Sequence, residues 1–521
     1  MTQPPLAAAG EIRLAARQGR WVLLATVLGS GMAMLDGTVV NVALPTIGKE
    51  FGASLAGLQW TITAYTLTLA GLILLGGSLG DRLGRRRVFV TGVVWFALAS
   101  ALCGLAPVVG VLIAARALQG VGGALLTPGS LAIIQAAFAP EDRARAVGSW
   151  SGLGGVAGAV GPFLGGWIIQ SAGWRWVFLI NLPVAAVVVA VTIRHVPETS
   201  DPAAHGRFDV GGAVLAAAAL GGITYALIQA SGQGGFGGGV LAAAFAGLAA
   251  GAAFVLLERA RGRAPQRVPP MLPLDVFASR QFSAVNVVTF LVYGALGGML
   301  FLLVLELQLV SGYSPLAAGV ALLPSTLAML LLSARSAALA QRVGPRWLMA
   351  AGAATCAAGL LLMVRIGPHA VYLTQVFPAV LIFGLGLAMV VAPLTATVLA
   401  SAEVRHAGVA SGVNNAVARA AGLFAVAALP LAVGLTGPDY QSPAVFESGF
   451  RTAMVICAAL LAAGALLSAV AIDNNVLRPV RPDHPVPQPE CLTCFPVGAP
   501  QLDPGRAAGH AGHRPLAATD P

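Results

Sequence analysis

Charge is what this sequence has least of. Asp, Glu, Lys and Arg make up 10% of its 521 residues, where a soluble domain carries about 25%, so most of its surface cannot face water. Lysine is confined to Lys49, and the formal net charge of +10 comes from arginine. That excess does not point to nucleic acid, because the arginines stand in loops between apolar runs, which is the pattern of membrane topology. No GxxxxGK[ST] phosphate loop and no HExxH zinc helix occurs, and the glycines near Gly120 lack the strand context of a dinucleotide fold. ATP-driven work, enzymatic activity and a cofactor are therefore not expected. The five cysteines build no disulfide framework. Cys103, Cys356 and Cys457 sit inside apolar runs as small hydrophobes. Cys491 and Cys494 form a lone CxxC without the second pair that a structural zinc usually needs, and His484, His510 and His513 fit no known spacing. A cleaved signal is not expected either. The polar first ~20 residues carry Arg13, Arg17 and Arg20, and the apolar run after them is too long for a signal core.

What remains is apolar. Hydrophobic residues make up 57% of the chain, and the mean hydropathy is +0.83. Fourteen apolar windows lie between Trp21 and Ile472, each long enough to cross a hydrocarbon core of roughly 30 Å. The least distinct are the Ala- and Gly-rich pair around 209–257. The 65 glycines and 33 prolines fit packed membrane helices, where neighbours satisfy freed backbone groups. The expected class is an all-α integral membrane protein. Arg82, Arg85, Arg86, Arg87, Arg143, Arg145, Arg207, Arg259, Arg261, Arg263, Arg267, Arg342, Arg346 and Arg405 fall in one alternate set of loops, with the N-terminus and Arg478 and Arg481 on the same side. The other set holds little beyond Lys49, Arg175, Arg365 and Arg451. The rich side is expected in the cytoplasm of a plasma-membrane protein with both termini inside, which an even span count requires. The tail from Asn474 to Pro521, rich in Pro, Gly and Ala, reads as a disordered extension.

One turn occurs twice. Gly80-Asp81-Arg82-Leu83-Gly84-Arg85-Arg86 closes the second span, and Ala340-Gln341-Arg342-Val343-Gly344-Pro345-Arg346 closes the tenth. Arg82, Gly84 and Arg86 match Arg342, Gly344 and Arg346, and Gln341 replaces the Asp. A turn repeated in two halves fits two related helix bundles with the 209–257 pair inserted, and transporters are commonly built this way. The expected divisions are an N-terminus at 1–20, six helices at 21–200, two inserted helices and a linker at 201–280, six helices at 281–472, and a tail at 473–521. In the longer stretch from Gly77 to Arg87, Gly80 and Gly84 permit a tight reversal, and Asp81 is an acceptor suited to a helix N-terminus or an arginine.

That stretch resembles the signature between the second and third spans of the major facilitator superfamily. Leu35-Asp36-Gly37-Thr38-Val39-Val40-Asn41-Val42-Ala43-Leu44-Pro45 looks like the first-span motif of its fourteen-span drug:proton antiporter branch. Arg116-Ala117-Leu118-Gln119-Gly120-Val121-Gly122 is similar to the fourth-span motif, and Gly158 to Gly166 resembles the fifth-span antiporter motif. Trp174-Arg175-Trp176-Val177-Phe178-Leu179-Ile180-Asn181-Leu182-Pro183 matches the same branch. The resemblance covers about residues 20–472. It implies a proton-coupled multidrug efflux transporter of the antibiotic-resistance kind, working by alternating access on hydrophobic or cationic drug-like compounds. An exporter of a dedicated metabolite with the same fold is the alternative. The partners implied are a small-molecule substrate, protons and the lipid bilayer, with no nucleic acid, and the oligomeric state stays open.

Individual residues carry these expectations. Asp36 inside the first span costs about 2.5–3.5 kcal/mol on insertion scales unless it faces a bundle interior or a wet cavity. A proton and a cationic substrate would compete there, or the carboxylate caps a helix break near Gly37 and Thr38. Arg116 is a second intramembrane charge, and the resemblance gives it a part in proton coupling or in bracing. The resemblance likewise makes Gly77, Gly80, Asp81, Arg82, Gly84, Arg85 and Arg86 a gate, and Gly158, Gly161, Pro162 and Gly165 an antiporter stripe at the bundle interface. Asp36, Asn41, Tyr65, Glu306 and Gln308 are the expected cavity residues, with Trp60, Asn286, Asn414 and Asn415 as further candidates. Glu306 reads either as a second cation-sensing carboxylate or as a residue of the outer interface. Arg335 and Arg419 are further cations near the membrane, and Arg419 is similar to an arginine often seen in that family after the cytoplasmic start of the thirteenth span.

Overall fold

The computed structural model describes residues 12–200, 209–233, 235–263, 270, 272–401 and 407–477. The CxxC pair, the tail beyond 477, Arg207, Arg267 and Arg405 lie outside the described residues. Among those described, fourteen helices are long and apolar enough to span a bilayer. They are α1 (Arg17–Phe51), α2 (Leu55–Leu83), α3 (Arg85–Gly104), α4 (Val109–Ala137), α5 (Pro140–Ala172), α6 (Arg175–His195), α7 (Val210–Gly232), α8 (Gly238–Arg263), α9 (Arg280–Val310), α10 (Pro315–Val343), α11 (Pro345–Met363), α12 (Tyr372–Ala400), α13 (Val409–Ala432) and α14 (Pro443–Ala471).

Local chemistry sets many of the boundaries. Pro140, Pro315, Pro345 and Pro443 open helices at the position where a missing N–H costs nothing. The hydroxyls of Ser54 and Ser314 accept from the backbone N–H of Gly57 and Ala317, which caps α2 and α10. At the two related turns Gly84 and Gly344 hold φ of 107° and 95°, backbone that L side chains rarely adopt.

The packing repeats with an offset of eight helices. In the first set α1 packs on α5 and α6, α2 on α4, and α3 on α4 and α6. In the second set α9 packs on α13 and α14, α10 on α12, and α11 on α12 and α14. The two sets meet through α2 with α13 and α5 with α10. The remaining pair, α7 and α8, pack on each other, and α7 also lies against α2 and α13, one helix from each set. Arg261 near the end of α8 pairs with Asp209 just before α7, which ties the pair at its base.

The turn repeat extends to a partner not expected from sequence. Glu198, just after α6, accepts from the Arg86 backbone N–H at 3.0 Å and lies 3.6 and 3.7 Å from the Arg86 and Arg87 guanidinium groups. Asn474, just after α14, donates to the Val343 carbonyl at 2.8 Å beside Gly344. In each set the residue leaving the sixth helix thus braces the turn between the second and third.

Candidate functional site

The densest polar cluster inside the first set is built around Asp36. This residue sits near the middle of α1 with its side chain fully buried. Arg116 of α4 donates from Nη1 to Asp36 Oδ2 at 2.5 Å. Gln119, one turn further along α4, donates from Nε2 to Asp36 Oδ1 at 2.8 Å and to Ser100 Oγ at 2.6 Å. Asn181 of α6 approaches Oδ1 at 3.4 Å and donates to Ser100 at 3.1 Å. The Arg116 Nε donates to the Thr61 carbonyl on α2 at 3.0 Å, and its guanidinium carbon lies 4.3 Å from the Tyr65 ring centroid, a cation–π stack. Five helices therefore converge on one neutralised ion pair. Such a pair is tolerable without water only because nearly every donor and acceptor is satisfied.

The Trp174–Pro183 stretch now has a physical content. Trp174 and Arg175 both donate to the Glu50 carboxylate at the end of α1, and Asn181 reaches Asp36. Its polar members hold α6 against the two acidic residues of α1.

The ends of the helices differ. One end carries the Asp81–Arg87 turn and most of the arginines, and the opposite end is arginine-poor. Among the described residues, every hydrogen bond that joins the first set directly to the second lies in the arginine-poor half. Gln308 donates to the Val42 carbonyl at 3.0 Å, Gln59 to the Val426 carbonyl at 2.7 Å, and the Tyr440 hydroxyl to the Ala53 carbonyl. Gly166 and Gly319 let α5 and α10 cross backbone to backbone. A Cβ on Gly166 would stand 2.5 Å from the Pro315 carbonyl oxygen, and one on Gly319 would run into that of Pro162. Towards the arginine-rich end the same α5 is bare, since a Cβ at Gly148, Gly152, Gly155 or Gly158 meets nothing within 4 Å. A cavity of about 280 Å³ opens here, with Tyr293, Thr395, Ser411, Asn414, Asn415 and Arg419 among its lining residues.

The expected site residues divide accordingly. Gly161 and Gly165 pack against Thr38 and Val39 of α1 rather than against the second set, while Gly158 is open. Asp81 accepts from Arg85 at 2.7–2.9 Å along its own chain, and Gly80 has open space around it. Neither Asp36 nor Glu306, both expected at the cavity, is exposed to it in this conformation. Asp36 is enclosed by Arg116, Gln119 and Asn181. Gln308 belongs to the seal, Asn41 donates to the Gly37 carbonyl of its own helix at 3.2 Å, and Tyr65 is buried beneath Arg116. Arg419, read from sequence as a cation near the membrane and as similar to an arginine common after the start of the thirteenth span in the family it resembles, is the charged residue that lines the cavity.

Glu306 begins a π-helical turn, Glu306–Val310. It is completely buried, with neither carboxyl oxygen hydrogen-bonded. An unsatisfied buried polar group costs about 1–3 kcal/mol, so Glu306→Leu is expected to raise the unfolding free energy in detergent by about that amount. A lower thermal midpoint for the variant would show that the carboxyl contributes binding energy to the fold.

Comparison with known proteins accords with this architecture. The family model of the Major Facilitator Superfamily matches residues 26–427. The puromycin resistance protein of Streptomyces alboniger is 36% identical over 495 residues, covering 91% of this chain and 96% of the relative. The tetracenomycin C resistance and export protein of Streptomyces glaucescens is 35% identical over 408 residues, covering 78% and 74%. The multidrug resistance protein Stp of Mycobacterium tuberculosis is 35% identical over 396 residues, covering 76% and 72%. Among solved structures, an auto-inhibited peptide transporter of the POT family superposes with a TM-score of 0.63 at 16% identity, covering 88% of this chain and 96% of that one. A bacterial homologue of the lysosomal transporter Spinster, solved inward-facing, gives 0.60 at 18% identity, covering 88% and 97%.

Proposed function

Because the chain belongs to the major facilitator superfamily, and is thereby a membrane transporter and not an enzyme, we propose that it exports small hydrophobic organic molecules, antibiotics among them, in exchange for protons. The names of its relatives support export as the direction. The arginine bias supports placing the arginine-rich end and both termini in the cytoplasm, and in that orientation the conformation described is sealed outside and open inside. Alternating access then consists of opening the α5–α10 crossing while the bare half of α5 closes.

The observation that carries proton coupling is the buried Asp36–Arg116 pair. It alters the mechanism expected from sequence, in which a proton and a cationic substrate compete for Asp36. Here the cation already at Asp36 is Arg116, so the competitor that a proton displaces is the protein's own guanidinium. A proton on Asp36 removes the neutralising charge, and Arg116, stacked on Tyr65 at 4.3 Å, must find another acceptor. That rearrangement links protonation in α1 to the inner faces of α2 and α4. A membrane potential of 100 mV supplies about 2.3 kcal/mol per charge, to which the pH gradient adds.

Inverted vesicles test this directly. An imposed inward-acidic gradient is expected to drive drug accumulation in the lumen, and a protonophore is expected to abolish it. Accumulation that survives the protonophore would remove proton coupling. A panel of structurally unrelated drugs separates broad efflux from export of one metabolite.

A further inference from the structure

We propose that Arg419 makes the cavity lined by α9, α12 and α13 a binding site for an anionic group, a carboxylate or phenolate carried on an aromatic or otherwise hydrophobic skeleton. The inference deepens the exporter reading and rests on it, since it names the charge class of the transported molecule.

Three observations converge. First, Arg419 lies near the middle of α13 (Val409–Ala432), at a depth where a cation is expensive and almost always paired. Of the other arginines inside spans, Arg116 is neutralised by Asp36, and Arg335 is exposed and lines a different cavity. Arg419 makes no hydrogen bond and no ion pair among the described residues, and its Nε is buried without an acceptor. Second, it lines the cavity of about 280 Å³ in company that is polar but uncharged: Tyr293, Thr395, Ser411, Asn414 and Asn415. Asn414 is oriented by Asn286 and Thr289 of α9, to which its amide donates at 3.2 and 2.7 Å. Third, no carboxylate among the described residues lines this space. The two buried acids that sequence places near it are enclosed elsewhere, Asp36 by Arg116 and Glu306 in its π-helical turn. Among the described residues, the ionisable groups near Arg419 are the phenols of Tyr65 and Tyr293, which are neutral near pH 7.

The cavity therefore offers one fixed positive charge with a donor left unmatched and no counter-ion among the described residues. A guanidinium fork matches a carboxylate in shape and charge, and a hydrophobic cation would meet repulsion there. An anion leaving the cytoplasm is moreover driven outward by the inside-negative potential.

Two dyes that share the xanthene ring test the charge class, fluorescein as the anion and tetramethylrhodamine ethyl ester as the cation. Binding to the purified full-length protein in nanodiscs is read by fluorescence anisotropy, which requires no transport. Fluorescein is expected to bind the wild type. Its affinity is expected to fall at least about tenfold in Arg419→Gln and to be largely kept in Arg419→Lys, with the rhodamine ester unaffected or bound more tightly. In the wild type, benzoate is expected to displace fluorescein and the neutral isostere benzamide not to, a comparison that stands even if a variant fails to fold. The proposal is overturned if fluorescein does not bind, if benzamide competes as well as benzoate, or if Arg419→Gln leaves fluorescein binding unchanged or weakens both dyes alike. Charge-selective binding without export from energised vesicles would uphold the site and remove the exporter reading, so the two failures are distinguishable.

Discussion

Asp36→Asn should cost about 3–5 kcal/mol of stability, because it leaves Arg116 buried beside a neutral amide. Asp36→Asn combined with Arg116→Gln should recover most of that loss. The asymmetry follows from the surroundings of the pair. Both side chains are almost wholly excluded from solvent, and the acceptors left to Arg116 in the single variant are the Thr61 carbonyl and the Gln119 amide oxygen, neither of which carries charge. In the double variant two amides face each other inside a ring of Gln119, Asn181 and Ser100, where they can hydrogen-bond without a buried ion. Thermal unfolding in detergent measures this part. Function should separate from stability. The amide introduced by Asp36→Asn resembles a permanently protonated carboxyl, so neither variant should accumulate drug against its gradient in inverted vesicles, and the well-folded double variant should fail as completely as the single. Gradient-driven accumulation by the double variant would remove the pair from coupling and leave it a structural brace.

The fourteen spans were legible because lipid leaves the chain no choice: each crossing needs about 20 apolar residues with every backbone group bonded inside the helix. The helix ends were not. Helix α5 starts at Pro140, ahead of the apolar stretch, since Pro140, Glu141, Asp142 and Arg143 form a polar first turn that hydropathy cannot see. Helix α14 likewise runs back to Pro443 and carries, ahead of the apolar window, Glu447, which pairs with Arg451. Two intramembrane charges, Asp36 and Arg116, stood out singly. That they neutralise each other could not be read, because they are 80 positions apart on different helices and periodicity within one helix says nothing about register between two.

Other features left weaker signals. Glu198 escaped notice as an ordinary polar residue at a helix exit, and Asn474 reads by composition as the first residue of the disordered tail although it is bonded to the Val343 carbonyl. Yet both follow the sixth helix of their set, and the repeated turn, once noticed, directs attention to those positions. Asn181 stood in a stretch recognised by resemblance alone, and its bond partners give that resemblance a reason. Glu306 was visible as a carboxylate near a span end, but it is buried where the winding changes from α to π, which no pattern of residue types in Glu306–Val310 announces. Arg419 could be seen as a charge but not as one that lines a cavity without a carboxylate among the described residues, since that depends on where Asp36 and Glu306 go.

A valine at position 319 should abolish export while leaving the protein folded. In the conformation sealed at the arginine-poor end, Gly319 of α10 lies directly on the Pro162 carbonyl of α5, and Gly166 makes the reciprocal approach to Pro315. An added Cβ has backbone in front of it, which cannot rotate away as a side chain would, so the two helices must separate. Overpacking of this kind costs about 1–3 kcal/mol or more. The cost falls on the sealed state alone, because the crossing is undone when that end opens. One substitution should therefore shift the population towards the open form by about 5–150-fold, and Gly166→Val with Gly319→Val should complete the shift. A cysteine at Asn41, which is half-buried near the seal, should react faster with a membrane-impermeant maleimide from the arginine-poor side in the valine variants. Gly155→Val is the matched control. Its Cβ points into open space here and obstructs closure only at the other end, so it should slow that same labelling. If Gly319→Val exported drug at the wild-type rate with unchanged labelling, the α5–α10 crossing would not be a moving part of the transport cycle.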